Sequence, residues 1–449
     1  MRTGRPRFLH QITGVLALGL AAGVVACAPA ASSPPPVLLI VIDTVRADHM
    51  SLYGYERDTT PRLKEWAESG TVVENAFSAA AWTLPGVSSI LTGLYPAQHG
   101  AGNGVPSPMH DDIPTLAERL KEQGYATGAT ANVSFLTDHF GLHRGFDLYD
   151  FHPAADDGGL RPADANVDIA LEWIAAQEQP YFFMLHMFDA HRHYDAPEPA
   201  RGTFTEQFAD RYEPGSLATM ASRIEAERRG DLEFHVAAYD EEILWLDMQL
   251  DRLFLTLQER GTFDDTLVIL TSDHGEAFRD HEHSIGHGSC LHNEVIRVPL
   301  VIWEPGRLNR GRRVGPVATV DLKPTVLEAV GEPVEGLAGV SLLPFLRGED
   351  LPSRAIFAQN NFYRRDLTAL IRWPLKFIQD HGTQERLLYD LEVDPGETDN
   401  LWDPDDPDTA RLVNSMRREI RAIRQAREGQ AVEMSPELAE RLRALGYIQ

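Results

Sequence analysis

The sequence predicts an α/β protein, a sandwich of helices around a large, mostly parallel central sheet, followed by a smaller C-terminal α+β subdomain. Three observations carry this expectation. Continuous apolar runs end on an aspartate, as strands buried on both faces of a parallel sheet do. Segments with apolar residues at helical spacing separate those runs, and strands alternating with helices over roughly 300 residues build such a sandwich. From about residue 350 the texture changes to shorter apolar stretches broken by turn residues.

In chain order, residues 1–26 read as an export signal. Arg2, Arg5 and Arg7 precede the apolar run "ITGVLALGLAAGVVA", which is shorter than the ~20 residues of a membrane span. The run stops at Cys27, after Val24-Val25-Ala26 and before "APAASSPPP". That resembles a bacterial lipoprotein signal, in which the cysteine takes the lipid; an ordinary cleaved signal ending near Ala26, or an uncleaved anchor, is the alternative. Residues 27–36 then form a Pro/Ser-rich tether. The expected address is the periplasmic side of the cell envelope, with Ala28 mildly favouring the outer membrane. Cys290 is the second of two cysteines, so a chain acylated at Cys27 forms no intramolecular disulfide.

Removing Arg2, Arg5 and Arg7 from the 41 basic residues leaves 38 against 67 acidic ones, a formal charge of −29. Such a surface excludes nucleic acid and anionic headgroups as bulk partners. The membrane is reached through the lipid anchor alone, and the oligomeric state is left open. An anionic substrate has to be captured locally, by a metal and a few cationic groups.

Residues 37–350 are expected to form the catalytic domain. "VLLIVID" (37–43) is its first strand, the pattern returns in "YFFMLHMFD" (181–189) and "DTLVILTSD" (265–273), and "VPLVIWEP" (298–305) adds another. Ile243, Leu246, Leu250, Leu253 and Leu257 give one buried helical stripe. Residues 351–449 are expected to hold antiparallel strands and a helix with Leu412, Met416, Ile420 and Ile423 on one face. Asp43, Asp189 and Asp273 all stand at the carboxyl ends of strands, where ligands collect in open α/β sheets.

Two segments carry chemistry. In "TSDHGEAF", Asp273 and His274 put a carboxylate oxygen beside an imidazole nitrogen, a mixed donor pair that suits Zn or Mn better than Ca or Mg. The pair also reads as two satisfied polar groups at a strand end. In "TLPGVSSILTG", Thr83 stands just before Pro85 at a helix start. Its hydroxyl is expected to face free backbone N–H groups and the positive end of the helix dipole. The competing reading makes Thr83 a plain N-cap.

Taken together, "VIDTVRADHMSLYGYERDTTPRLKEWAESGTVVENAFS", "TLPGVSSILTGLYPAQHG", "FFMLHMFDAHRHYDAP", "TSDHGEAF", "GHG", "IRVPLVIWEPG" and "LLYDLEVDPGETDNLW" resemble the sulfatase family of the alkaline phosphatase superfamily. The motifs come in the family order, and the tail "LAERLRALGYIQ" is similar as well. The resemblance implies an alkaline phosphatase-like sandwich and a metal-dependent hydrolase of anionic esters. It implies metal ligation by Asp43, Asp273 and His274, and a nucleophile at Thr83 whose oxygen also approaches the metal. His191 and His287 match histidines that contact the transferred group or the leaving oxygen. Arg46 matches an arginine that binds substrate or braces its loop. Asn103 and Asn132 are candidate pocket residues, with a surface-loop role as the alternative for each. Asp189 and His193, four apart, match the second metal of two-metal relatives, a reading less favoured than one metal.

The departures shift the expected chemistry. The family's Cys-x-Pro-x-Arg or Ser-x-Pro-x-Arg, matured to formylglycine, is here Thr83-Leu84-Pro85-Gly86-Val87. Oxidising threonine gives a ketone rather than an aldehyde, and the arginine that holds the matured group is replaced by Val87. Thr44 stands where a second carboxylate is common, and the family's Gly-Lys-Trp-His segment has no counterpart. The set Asp43, Thr83, Asp273, His274 looks like phosphoryl-transferring relatives. The expected substrate is therefore a small phosphate mono- or diester or phosphonate ahead of a sulfate ester. Mn or Zn stands ahead of Ca, and an envelope phospho-group transferase or a true sulfatase is the alternative.

Overall fold

The structure is a computed structural model that describes residues 34–425, apart from 103–105, 153–160, 193, 212–230, 282–284, 307–309 and 363–364. The signal, Cys27, Asn103, His193 and the C-terminal tail lie outside the described residues.

Strand β1 (Val37–Ile42) runs through the middle of a nine-stranded sheet. Its neighbours are β5 (Tyr181–Met187) and β6 (Leu267–Ser272), both parallel to it. Beyond β5 come β3 (Ala126–Ala131) and β4 (Leu148–Phe151), again parallel. Side chains alternate across β1: Leu38, Ile40 and Ile42 enter one core, while Val37, Leu39 and Val41 enter the other. That two-residue period, with both faces covered, is why the strand reads as an unbroken apolar run. Helices α1 (Pro61–Ala67), α5 (Ala163–Ala175) and α6 (Leu232–Glu259) cover the first face. Helices α2 (Thr83–Thr92), α4 (Leu116–Glu122) and α8 (Leu322–Ala329) cover the second, with the short α3 (Pro96–His99) after α2 and α7 (Asn293–Ile296) after β6. The stripe Ile243, Leu246, Leu250, Leu253 and Leu257 is buried along α6 as expected.

On its other side the sheet is mixed rather than parallel. β8 (Leu300–Trp303) pairs antiparallel with β6 and with β2 (Thr71–Phe77), β7 (Arg297–Val298) pairs antiparallel with β2, and β9 (Gly311–Ala318) pairs parallel with β2. The reason is the connection. Between Ser272 and Leu300 the described chain holds no helix longer than the four residues of α7. A parallel return usually runs through a crossover helix.

The C-terminal residues form a second, antiparallel sheet in the order β10 (Ile356–Asn360), β11 (Leu367–Arg372), β12 (Leu375–Asp380), β13 (Arg386–Asp390). Helix α9 (Pro407–Arg424) starts where Asp406 accepts from the Asp408 and Thr409 N–H groups, with Pro407 in the first turn. It buries Val413, Met416 and Ile420, with Leu412 and Ile423 partly buried beside them. One apolar cluster joins Phe77 of β2 and Val295 and Ile296 of α7 to Ile356, Phe357 and Leu388 of the small sheet. From Pro34 onward the chain is therefore one compact unit. Among the described residues no helix is long and apolar enough to cross a membrane.

A buried ion pair ties the small sheet to the rest. Lys376 Nζ on β12 lies 2.7 Å from Glu397 Oε1, with both side chains fully buried. Asn293 accepts from the same ammonium at 3.0 Å, and its backbone N–H donates to Glu397 Oε2 at 2.5 Å. Removing one partner leaves an uncompensated buried charge. Lys376→Met is expected to lower stability by about 3–5 kcal/mol, read from the urea midpoint.

Candidate active site

Parallel register assembles the centre. Ile42 pairs with Met187 on one side and with Ser272 on the other, so the next residues, Asp43 and Asp273, leave the sheet side by side. The Asp43 N–H donates to the Met187 carbonyl at 2.8 Å, and both carboxylates are fully buried. The His274 N–H donates to Asp273 Oδ1 at 2.9 Å, and Nδ1 of the same ring faces the Gly275 carbonyl at 2.9 Å. A carbonyl only accepts, so Nδ1 carries the hydrogen and Nε2 keeps its lone pair. That nitrogen lies 3.4 Å from Asp273 Oδ2 and 3.7 Å from Asp43 Oδ1.

Burial pushes Asp273 above the usual carboxylate range, and the charge of Asp43 adds to it. Burial acts on Asp43 in the same direction, but His186, His274 and His191 outweigh it and hold that group low. Asp43 Oδ1 and Asp273 Oδ2 are buried without a hydrogen-bond partner. Two adjacent carboxylates with orphaned oxygens, facing an imidazole lone pair, demand a cation. Donor atoms of Asp43, Asp273 and His274 lie within 4.8 Å of one another. Oxygen donors with one imidazole fit a divalent cation.

Helix α2 delivers the hydroxyl. Trp82 is the N-cap and Thr83 the first helical residue, with no side-chain cap. The Thr83 hydroxyl lies 3.3 Å from Asp43 Oδ2 and 3.3 Å from His274 Nε2. It thus faces the carboxylate centre, neither capping the helix nor turned toward its free N–H groups as the sequence suggested. Gly86 explains how α2 comes so close: a Cβ there would meet the Asp273 carbonyl oxygen at 2.9 Å. Ser78 also donates its hydroxyl hydrogen to that carbonyl.

Three histidines line one side. The His287 ring centroid is 4.4 Å from that of His274 and 5.2 Å from that of His191. His287 Nδ1 sits 3.0 Å from Glu276 Oε1, and Tyr194 donates to Glu276 Oε2 at 3.3 Å. Burial pushes the Glu276 carboxyl up, but His287, Arg192 and His191 outweigh it and hold it at about 2. Burial lowers His287, with Glu276 pulling the other way. Burial also takes His191, stacked on Phe188 at 4.3 Å, down to about 3. Near neutrality His287 is thus an imidazole whose Nδ1–H is held by a carboxylate, and His191 is neutral. Glu276→Gln removes the charge that supports imidazolium. It is expected to cut kcat about 10- to 100-fold and to move the basic limb of the pH profile to lower pH. A purely structural role for Glu276 would leave that limb in place.

The remaining candidates fall elsewhere. Arg46 is a brace: it donates to Asp48 at 3.0 and 2.8 Å, to Asp280 at 3.1 and 3.0 Å, and to the Glu276 carbonyl at 3.1 Å. These contacts commit the guanidinium within the protein. Asn132 holds strands together, donating to the His186 carbonyl at 2.8 Å and accepting from Arg161 Nε at 3.2 Å. Asp189 accepts from the Ala163 N–H at the start of α5 at 2.9 Å, and burial pushes it up to about 6. It is not in the donor cluster of Asp43, Asp273 and His274.

Sequence reasoning passed over three residues. His186 lies inside β5, fully buried, with Nε2 3.6 Å from Asp43 Oδ2 and neither ring nitrogen hydrogen-bonded. A histidine in the otherwise apolar run "YFFMLHMF" was its signal. Glu276 stood within "TSDHGEAF". Arg192, two residues before Tyr194, supplies positive charge to Glu276, His191 and His287. Thr44, in the second-carboxylate position, has φ +60°, strain that a β-branched residue bears only when its surroundings enforce it. Tyr239 enforces it, donating to the Thr44 carbonyl at 2.8 Å and accepting from the Arg46 N–H at 2.9 Å.

Comparison with known proteins agrees with this geometry. A family model described as Sulfatase matches residues 35–332, and one described as N-sulphoglucosamine sulphohydrolase, C-terminal, matches 281–426. The chain is 27% identical over 455 residues to Arylsulfatase A of Homo sapiens, covering 86% of each protein. It is 34% identical over 207 residues to the multifunctional alkaline phosphatase superfamily protein PehA of Trinickia caryophylli, covering 41% of this chain and 39% of that one. The phosphonate monoester hydrolase of Agrobacterium radiobacter has the same fold, with a TM-score of 0.70 at 23% identity over 90% of this chain and 98% of that one. With the family model spanning most of the described residues and a buried Asp43–Asp273–His274 centre beneath Thr83, the chain belongs to the sulfatase family and is an ester-bond hydrolase.

Proposed function

We propose that the protein hydrolyses a phosphate diester, phosphate monoester or phosphonate ester, with Thr83 as nucleophile. The observation that carries this is the Thr83 hydroxyl, 3.3 Å from both Asp43 Oδ2 and His274 Nε2 at the first residue of a helix. A divalent cation held by Asp43, Asp273 and His274 beside Thr83 would lower the hydroxyl pKa and neutralise charge on the reacting oxygens.

The chain's own groups do the rest. Thr83 Oγ1 attacks phosphorus in line; the oxygen–phosphorus bond forms as the bond to the leaving oxygen breaks, and the threonine proton passes to solvent. The minor protonated fraction of His287, having taken a proton from solvent on Nε2 with its Nδ1–H held by Glu276, gives the Nε2 proton to the departing alkoxide. Water then attacks the phosphothreonine, its proton returns to His287, and Thr83 is released and reprotonated. Neutral His191 contacts the transferred group, and Arg192 attracts the substrate anion.

Phosphorus ahead of sulfur rests on Thr83, which cannot yield an aldehyde, and on Val87 and Thr44 in place of an arginine and a carboxylate. The names of two similar proteins, multifunctional superfamily protein and phosphonate monoester hydrolase, point the same way. A sulfate ester is the second reading, favoured by the likeness to Arylsulfatase A. The test is purified protein with Mn or Zn on p-nitrophenyl phosphate, phosphonate, sulfate and bis-p-nitrophenyl phosphate. Turnover of the phosphorus esters above the sulfate is expected; dominant sulfate turnover would overturn the proposal.

A further inference from the structure

A second cluster of metal donors lies away from the catalytic centre, where the loop after His274 meets the C-terminal sheet. His281, His292 and Glu294 place donor atoms within 4.8 Å of one another. His292 and Glu294 are buried, and the His281 side chain is 17% exposed. The buried thiol of Cys290 lies 3.8 Å from Glu294 Oε1. A cavity of about 410 Å³ opens beside them, lined also by Asp380, Tyr389 and Glu397.

The tautomer of His281 is set by its surroundings. Nε2 faces the Glu397 carbonyl at 3.1 Å, so that nitrogen carries a hydrogen and donates it. Nδ1 then points its lone pair at Glu294 Oε1, 2.8 Å away. A lone pair and a carboxylate oxygen repel unless a proton or a metal ion stands between them. Glu397 thereby plays the outer-shell part that fixes a metal-binding imidazole.

From these contacts we infer a second metal site, built by His281, His292 and Glu294, that takes a zinc-class divalent ion. Two imidazoles and one carboxylate, with a thiol at the edge, are borderline-soft donors that select Zn over Ca or Mg. The His281 and His292 rings stack with centroids 3.9 Å apart and planes 12° apart. Stacked lone pairs run side by side, so one ring turns on binding, and the adjoining cavity gives it room and an entry path. The metal displaces the proton bridging His281 and Glu294.

The consequence reaches the active site. Asp280, next to His281, pairs with Arg46, and Arg46 holds the Glu276 carbonyl. The ion would tie His281 to His292 and Glu294 within this loop, which already contacts the small sheet's Tyr389 and the Glu397 carbonyl.

The test uses the full chain carrying Asp43→Asn and Asp273→Asn, which removes the catalytic donors. After zinc loading and gel filtration, one bound zinc per chain is expected by elemental analysis. Adding His292→Ala, or the milder Glu294→Gln, is expected to abolish it and also the zinc-dependent rise in Tm. Circular dichroism confirms that each variant is folded, and Glu294→Gln keeps the test open if His292→Ala does not fold. No zinc in the parent, or the same zinc content in a folded Glu294→Gln variant, overturns the inference.

Discussion

Thr83→Ala is expected to lower kcat about a thousandfold or more, because it removes the atom that attacks the substrate. The fold should tolerate it. The Thr83 side chain makes no capping hydrogen bond and contributes only the two 3.3 Å contacts to Asp43 and His274. Truncating the side chain to Cβ beside Asp43 and His274 leaves the cation site short of one oxygen, not unfolded. Thr83→Ser restores a hydroxyl at the same place and is expected to recover much of the rate. A slow substrate should leave a phosphoryl group on Thr83 in the wild type, seen by mass spectrometry as an adduct on its peptide. Retained turnover in Thr83→Ala, with no adduct in the wild type, would remove Thr83 as nucleophile and leave the fold untouched.

The second large effect is the loss of metal on Asp273→Asn. Its Oδ1 accepts the His274 N–H, which an asparagine oxygen keeps, so geometry survives while one negative charge goes. Two opposite results follow. In the metal-free protein, wild-type Asp273 has a folded pKa raised by burial and by the charge of Asp43. A raised folded pKa gives a contribution that is fully present below the ordinary carboxylate value, about 4. It is lost as pH rises through the folded value, because the unfolded chain ionises more readily. Metal-free wild type should therefore weaken from about pH 4 toward neutrality, and Asp273→Asn should flatten that decline and melt higher at neutral pH. With metal the order reverses. A cation at a thousand times its Kd stabilises the wild type by about 4 kcal/mol, and the variant forfeits most of this together with its activity. Thermal melts with and without chelator check both halves. A variant that melts lower than wild type in chelator would mean the two carboxylates do not repel as described.

Much of the centre was legible because its residues stand at chemically marked points of the chain. Asp43 and Asp273 end apolar runs, and a parallel sheet can place such ends together only at its carboxyl edge. Thr83 opens a helix beside Pro85, a signal confined to a few residues. What misled was the partner of its hydroxyl. Backbone N–H groups are the local choice, yet the close approach allowed by Gly86 brings Asp43 and His274 nearer. The antiparallel return through Leu300–Trp303 was hidden for a related reason: a buried strand looks equally apolar whichever way it runs.

By itself, then, the amino-acid order determined the strand ends, the amphipathic helices and the chemical kinds available: carboxylate, imidazole and a hydroxyl that cannot become an aldehyde. Tertiary structure alone decided which of them meet. It put His186 from the sheet interior beside Asp43, set Glu276 behind His287, and committed Arg46 to Asp48 and Asp280. The physical reason is range. Helical and strand periods act over a few neighbouring residues, whereas hydrogen bonds and charges act over ångströms between segments that folding brings from 40, 143 or 234 positions away.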